Sequence, residues 1–165
     1  ASELVALLAE GSFRDALSIL QKVLAVSDNK KIEIEEVEAV SGAPRGAVVR
    51  QILSAIAKKE APAALKAIRN AVEGNVDPRT LAKLLIHRLR VVLLLRYAPD
   101  AAGSFSHELT EEDLKLAKEL AKEPGVNSDM LRALLEAYAQ TAYAAVPHLP
   151  LELAVIDICT SGSSA

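Results

Sequence analysis

The chain has 165 residues, of which 51% are hydrophobic, 3% aromatic and 25% charged, with a formal net charge of −3. That length can bury one core or one and part of a second, and a composition rich in alanine and leucine specifies helices packed on helices rather than strands. The lone Cys159 excludes an internal disulfide, no basic head with an apolar run marks a secretion signal, and Val91–Leu95 is far short of the ~20 apolar residues of a spanning helix, so a soluble, cytoplasmic protein is expected.

A first short helix ends before Gly11. In the following "GSFRDALSIL", Ser12 is a good N-cap and Asp15, three residues on, completes a capping-box pattern, opening a helix from Phe13 to about Ala25. Arg14 then falls in the first turn, where unsatisfied N–H groups already present about half a positive charge. Such an arginine is balanced either by an arriving anion such as a phosphate, or by an acid: Asp15, Glu10 or one elsewhere. After the polar "SDNKK", Ile32 and Ile34 alternate with polar residues for a moment. Val37 and Val40 then return to helical spacing, and Gly42 is placed as a stop. The boundary drawn there divides the chain into 1–42 and 43–165.

Beyond it, "PRGAVVRQILSAIAKKE" reads as a helix with Pro44 in its first turn, followed by "APAALKAIRNAVEG". Asp77 and Pro78 then open a long helix, Arg79–Tyr97. At about 100° per residue, Lys83, His87 and Arg90 form one narrow polar stripe on it, and apolar residues from Leu81 to Leu95 occupy most of the rest. A helix this apolar must be covered from at least two sides. "APDAAGSFSHE" reads as a loop. Thr110 caps the next helix, with Asp113 at the capping-box position and Leu109 and Leu114 as a hydrophobic staple. "EPGVNSD" breaks the chain before a helix over Asp129–Val146, whose outward line carries Arg132, Glu136, Gln140 and Tyr143. "PHLP" breaks it again, "LELAVIDICT" is a last short helix, and "SGSSA" reads as the start of a linker. Since "ASELVALLAEG" begins inside a helical pattern, the chain is expected to be a piece of something longer.

Charge is segregated. Residues 1–42 carry eight acids and four bases, 43–97 carry three and eleven, and 98–165 carry eleven and four. A basic middle between acidic flanks suits either a nucleic-acid backbone or the acidic surfaces of an assembly, although aromatic stacking partners are missing. His87, His107 and His148 lie on three separate elements without zinc-ligand spacing. "GSFSH" lacks a nucleophile elbow and reads as a turn. Cys159 reads as a small core residue, and Glu35, Glu36 and Glu38 as a solvated face. A small helical enzyme would have to use Glu35 or His87 as its base. No G-x-x-x-x-G-K-[ST] is present to cradle nucleotide phosphates.

"AEGSFRDALSIL" resembles the G-S-x-R-D-A-L-S-L-L-D-Q segment of the gamma/tau subunits of bacterial DNA polymerase III clamp loaders, members of the AAA+ ATPases. "IEEVEAVSGAP" is similar to the end of their lid domain. "HLPLELAVIDI" resembles their R-x-P-L-E-x-A motif, with His148 where a basic residue is usual, and Gln21 and Lys22 depart from the family's Asp-Gln. The resemblance implies an all-α chain: the last part of an AAA+ lid over 1–42 and a helical collar over 43–165. It assigns the sensor-2 role to Arg14, on a helix capped by Ser12 and Asp15, and places no catalytic residue in this chain. It further implies assembly with like and unlike clamp-loader subunits for ATP-dependent loading of a sliding clamp onto primed DNA, away from any membrane. ATP and magnesium would belong to the parent protein, a subunit of a DNA-directed DNA polymerase, and the chain alone would be inactive. The alternative is a helical nucleic-acid-binding or protein-interaction module built on 43–97.

Overall fold

Side-chain caps and proline positions set where most of the helices begin. The computed structural model describes residues 1–9, 11–27, 31–102 and 109–161, and among them every regular element is helical. Glu10, most of "SDNKK", all of "GSFSH" with His107, and the terminal "GSSA" lie outside the described residues. The helices are α1 Ser2–Leu8, α2 Phe13–Val26, α3 Ile34–Ser41, α4 Gly46–Ala57, α5 Ala61–Glu73, α6 Pro78–Tyr97, α7 Pro99–Ala102, α8 Glu111–Leu120, α9 Ser128–Thr141 and α10 Leu149–Thr160.

They form two compact units, Ala1–Arg45 and Gly46–Ala165. In the first, α2 packs on α1 and α3 around Leu4, Val5, Val23 and Val37. Glu33 starts α3 with its N–H donating to Glu36 Oε2 at 2.8 Å. Gly42 ends α3 at φ 68°, a left-handed conformation that a side chain would strain.

In the second unit α6 is central, packed against α4, α8 and α9, and continued by α7. Its fully buried Leu81, Leu85, Leu89, Val91 and Val92 explain why its apolar surface is too broad for a helix lying on one side of a core. Asp77 caps it, Oδ2 accepting from Thr80 N–H and Thr80 Oγ1, each at 2.8 Å. α10 packs against α9, α5 and α4. The turn after α4 has Lys59 at φ 60°, where glycine is usual, with Glu60 N–H closing back on Ala55 O at 2.9 Å.

Four boundaries differ from the pattern reading. α4 begins at Gly46, so Pro44 precedes the helix instead of occupying its first turn. Pro99–Ala102 is a helical turn within the expected loop, because proline at the first helical position is already set for that backbone. α9 stops at Thr141, whose Oγ1 donates to Tyr138 O at 2.7 Å, and Pro147 disfavours helical backbone at Val146. α10 takes in Pro150 within its first turn.

Candidate functional site

The start of α2 is built around Ser12. Gly11, at φ 80°, turns the chain, and Ser12, at φ −80° and ψ 110°, is extended so that its Oγ accepts from Asp15 N–H at 3.2 Å. The N–H of Ser12 donates to Ala9 O at 2.8 Å, so the backbone supplies the return half of the cap. This arrangement holds Arg14 in the first turn, exposed. Among the described residues no carboxylate pairs with its guanidinium. Phe13 beside it is 78% exposed, and Leu17 and Leu24 continue an exposed apolar edge at i+4 and i+11. The start of α2 therefore sets an exposed cation beside a helix N-terminus, which together suit an anion's oxygens.

Basic side chains of the second unit have a different fate. Arg50 Nη1 and Arg88 Nη2 hold the two oxygens of Asp113 at 3.0 and 2.8 Å, and Arg50 Nη2 also meets Glu112. Lys59 Nζ donates to Ile158 O and Ser161 O at the end of α10. Arg96 Nη1 donates to Glu123 O and Val126 O, each at 2.8 Å, and the Arg79 guanidinium lies 4.2 Å from the Tyr138 ring centroid. Lys83, His87 and Arg90 also have partners. Much of the basic middle thus fastens helices together, which weighs against the nucleic-acid alternative.

Asp113 is the residue that local pattern misplaces. The capping-box position is correct for the backbone, since Thr110 Oγ1 accepts from Asp113 N–H at 3.2 Å. The carboxylate, however, is buried between two arginines from distant helices. Crowded acids opposite an arginine-rich segment were the visible signal; the pairing across 63 residues was not.

Enzyme-like groups gain little from the fold. Glu35 is exposed, Glu36 is spent on the α3 cap, and His87 lies in the other unit from both. Burial pushes the Cys159 thiol up from its ordinary value, against the opposing charge of Lys59, which keeps it protonated at neutral pH and poorly nucleophilic. The cavity beside Arg50, Arg88 and Asp113 has a volume of about 10 Å³, too small for a substrate, and the space between α4 and α8 is an open groove of about 420 Å³.

A second surface stands out. On α10, Leu149, Leu153 and Ile156 follow one another at i, i+4 and i+7 and remain 43%, 49% and 39% exposed. The opposite side of the same helix, Leu151, Ala154, Val155 and Ile158, is buried. Tyr143 and Val146, just before α10, are exposed as well. Apolar rows of this kind mark surfaces that are covered in an assembly.

No helix among the described residues is long and apolar enough to cross a membrane. Residues 32–164 match the family model of DNA polymerase III subunits gamma and tau, domain III. The DNA polymerase III subunit gamma/tau of Mycobacterium tuberculosis and that of Mycobacterium bovis are each 31% identical over 134 residues, covering 81% of this chain and 22% of theirs. The DNA polymerase III subunit tau of Bacillus subtilis is 25% identical over 164 residues, covering 99% of this chain and 29% of its own. The chain therefore spans only a quarter or so of the length of the relatives it matches. Taken with the all-helical architecture, a match over residues 32–164 means that the chain belongs to the family of DNA polymerase III subunits gamma and tau, through their domain III.

Proposed function

We propose that this chain serves a DNA polymerase III clamp loader, with its second unit acting as the collar through which subunits assemble and Arg14 acting as a nucleotide sensor. The observation that carries the reading is the family match over residues 32–164, most of which lie in the second unit. The exposed apolar row on α10 supports an assembly role for that unit.

Arg14 supports the sensing role because an arriving anion balances a first-turn cation, and among the described residues no carboxylate pairs with it. A first-turn cation is disfavoured by the helix terminus alone and favoured once a phosphate adds negative charge between them. The Ser12 cap and the exposed guanidinium fit a nucleotide phosphate, which Arg14 would hold through charge-assisted N–H donation. ATP would supply the hydrolysable phosphoanhydride, with magnesium to offset its negative charge, both held by a P-loop domain that these residues do not include. On this reading the parent complex loads a sliding clamp onto primed DNA.

The isolated chain is expected to hydrolyse no ATP. A steady-state phosphate-release assay checks this, and turnover by the purified chain that survives Arg14→Ala contradicts the proposal.

A further inference from the structure

In the turn after α4, a lysine occupies a position that glycine fills at lower energy. The hydrogen bonds there, Lys59 N–H to Ile56 O at 3.0 Å and Glu60 N–H to Ala55 O at 2.9 Å, are those of a helix ending whose left-handed residue is ordinarily glycine. Lys59 sits at φ 60°, where its Cβ crowds the backbone. Elsewhere among the described residues, left-handed backbone falls on Gly11, Gly42 and Asn75, residue types that accept it readily. Strain retained at a position that a simpler residue would relieve points to a task for the side chain.

That task lies at the end of α10. The last helical bond there among the described residues runs from Ser161 N–H to Asp157 O at 2.8 Å, and Ile158 O is the next carbonyl along. Negative charge concentrates at this end, since the last turn of α10 contains Asp157 and no basic residue. Lys59 Nζ brings a donor and a cation together, donating to Ile158 O and, at 3.3 Å, to Ser161 O. On the way its Cε passes 4.0 Å from where a side chain at Gly125 would begin, in the connection between α8 and α9 that Arg96 holds. One side chain thus joins a turn to a helix end 99 residues away.

We propose that Lys59 is a latch on α10: its ammonium group, delivered from another element, holds the last turn and fixes where the chain leaves the second unit. The latch is electrostatic and local. Neutralising the ammonium loosens residues 159–161 while α4 to α9 stay folded, and the buried side chain of Ile158 sets the inner limit of the loosened stretch. The direction in which the chain leaves α10 therefore depends on a single charge.

Amide exchange and thiol alkylation of the full 165-residue chain test this, because Cys159 is its one cysteine and lies in the last turn of α10. Lys59→Met keeps the stem and removes the charge. Exchange at 159–161 is expected to rise about fivefold, less than the full effect of a charge-assisted donor because Lys59 is exposed, with α4 to α9 unchanged. The thiol responds with a sign. Burial raises its pKa and the Lys59 charge lowers it, so losing the charge from an intact turn leaves the thiol more protonated and slows alkylation. A loosened turn instead frees the thiol from burial and speeds alkylation. Faster alkylation in Lys59→Met, returned toward the original rate in Lys59→Arg, supports the latch. Lys59→Gly separates the head from the turn: it relieves the backbone, so the urea midpoint is expected to change little, while residues 159–161 still exchange faster. Slower alkylation with unchanged exchange at 159–161 overturns the proposal, and so does loss of protection throughout the second unit.

Discussion

Asp113 is 5% exposed and holds two arginines, Arg50 from α4 and Arg88 from α6, while its own backbone N–H completes the Thr110 cap. Removing its charge leaves two guanidinium groups with side chains only 26% and 15% exposed facing an uncharged amide. Loss of one partner from a buried charge cluster costs about 3–5 kcal/mol, and the partial exposure of Arg50 moves the expectation to the lower end. Asp113→Asn is therefore expected to lower stability by about 3 kcal/mol, read as a fall in the urea midpoint at unchanged slope. Glu112→Gln, whose side chain is 74% exposed, is expected to cost less than about 1 kcal/mol in the same titration. The contrast shows what a single sequence conceals. Both acids occupy the first turn of α8 and both complement its dipole, but only the packing of α8 on α4 and α6 decides which one is buried.

At the scale of helices, α10 has two faces of similar composition and different fate. Leu151 is fully buried and Leu153 is 49% exposed. Leu151→Ala is expected to cost about 2–5 kcal/mol through lost burial and the cavity left behind, and Leu153→Ala well under that in the monomer, by thermal or urea unfolding. Composition and periodicity suffice to read most helices: the caps at Ser12, Asp77 and Thr110 and the stop at Gly42 are local chemistry that four or five residues determine. The central place of α6 was readable for the same reason, since its apolar residues outnumber what one contact face can use. Less could be read where tertiary context wins. α7 needed only Pro99 at its first position, and the end of α9 depended on a threonine hydroxyl competing for a helix carbonyl. The exposed row on α10 is not legible from its sequence, because Leu151 and Leu153 are the same residue type and only the packing of α10 on α9, α5 and α4 decides which is covered.

Over the whole molecule, charge has a different place in each unit. Within the second unit, arginines from the basic middle hold the acidic start of α8, Arg96 holds carbonyls of the connection between α8 and α9, and Lys59 holds those at the end of α10. The first unit contributes Arg14, whose oddity was legible from the sequence, although helix electrostatics alone left an anion and a neighbouring carboxylate as equal explanations. Among the described residues no carboxylate takes that place, and Glu10, one of the acids named for it, lies outside them. The most direct measurement is ATP turnover of the assembled complex containing the full-length parent subunit, with and without Arg14→Ala. The account predicts that the variant assembles normally and turns over ATP at least about tenfold more slowly, as expected for loss of a charged donor to a transferring phosphate. Unchanged turnover in a normally assembled complex would contradict it.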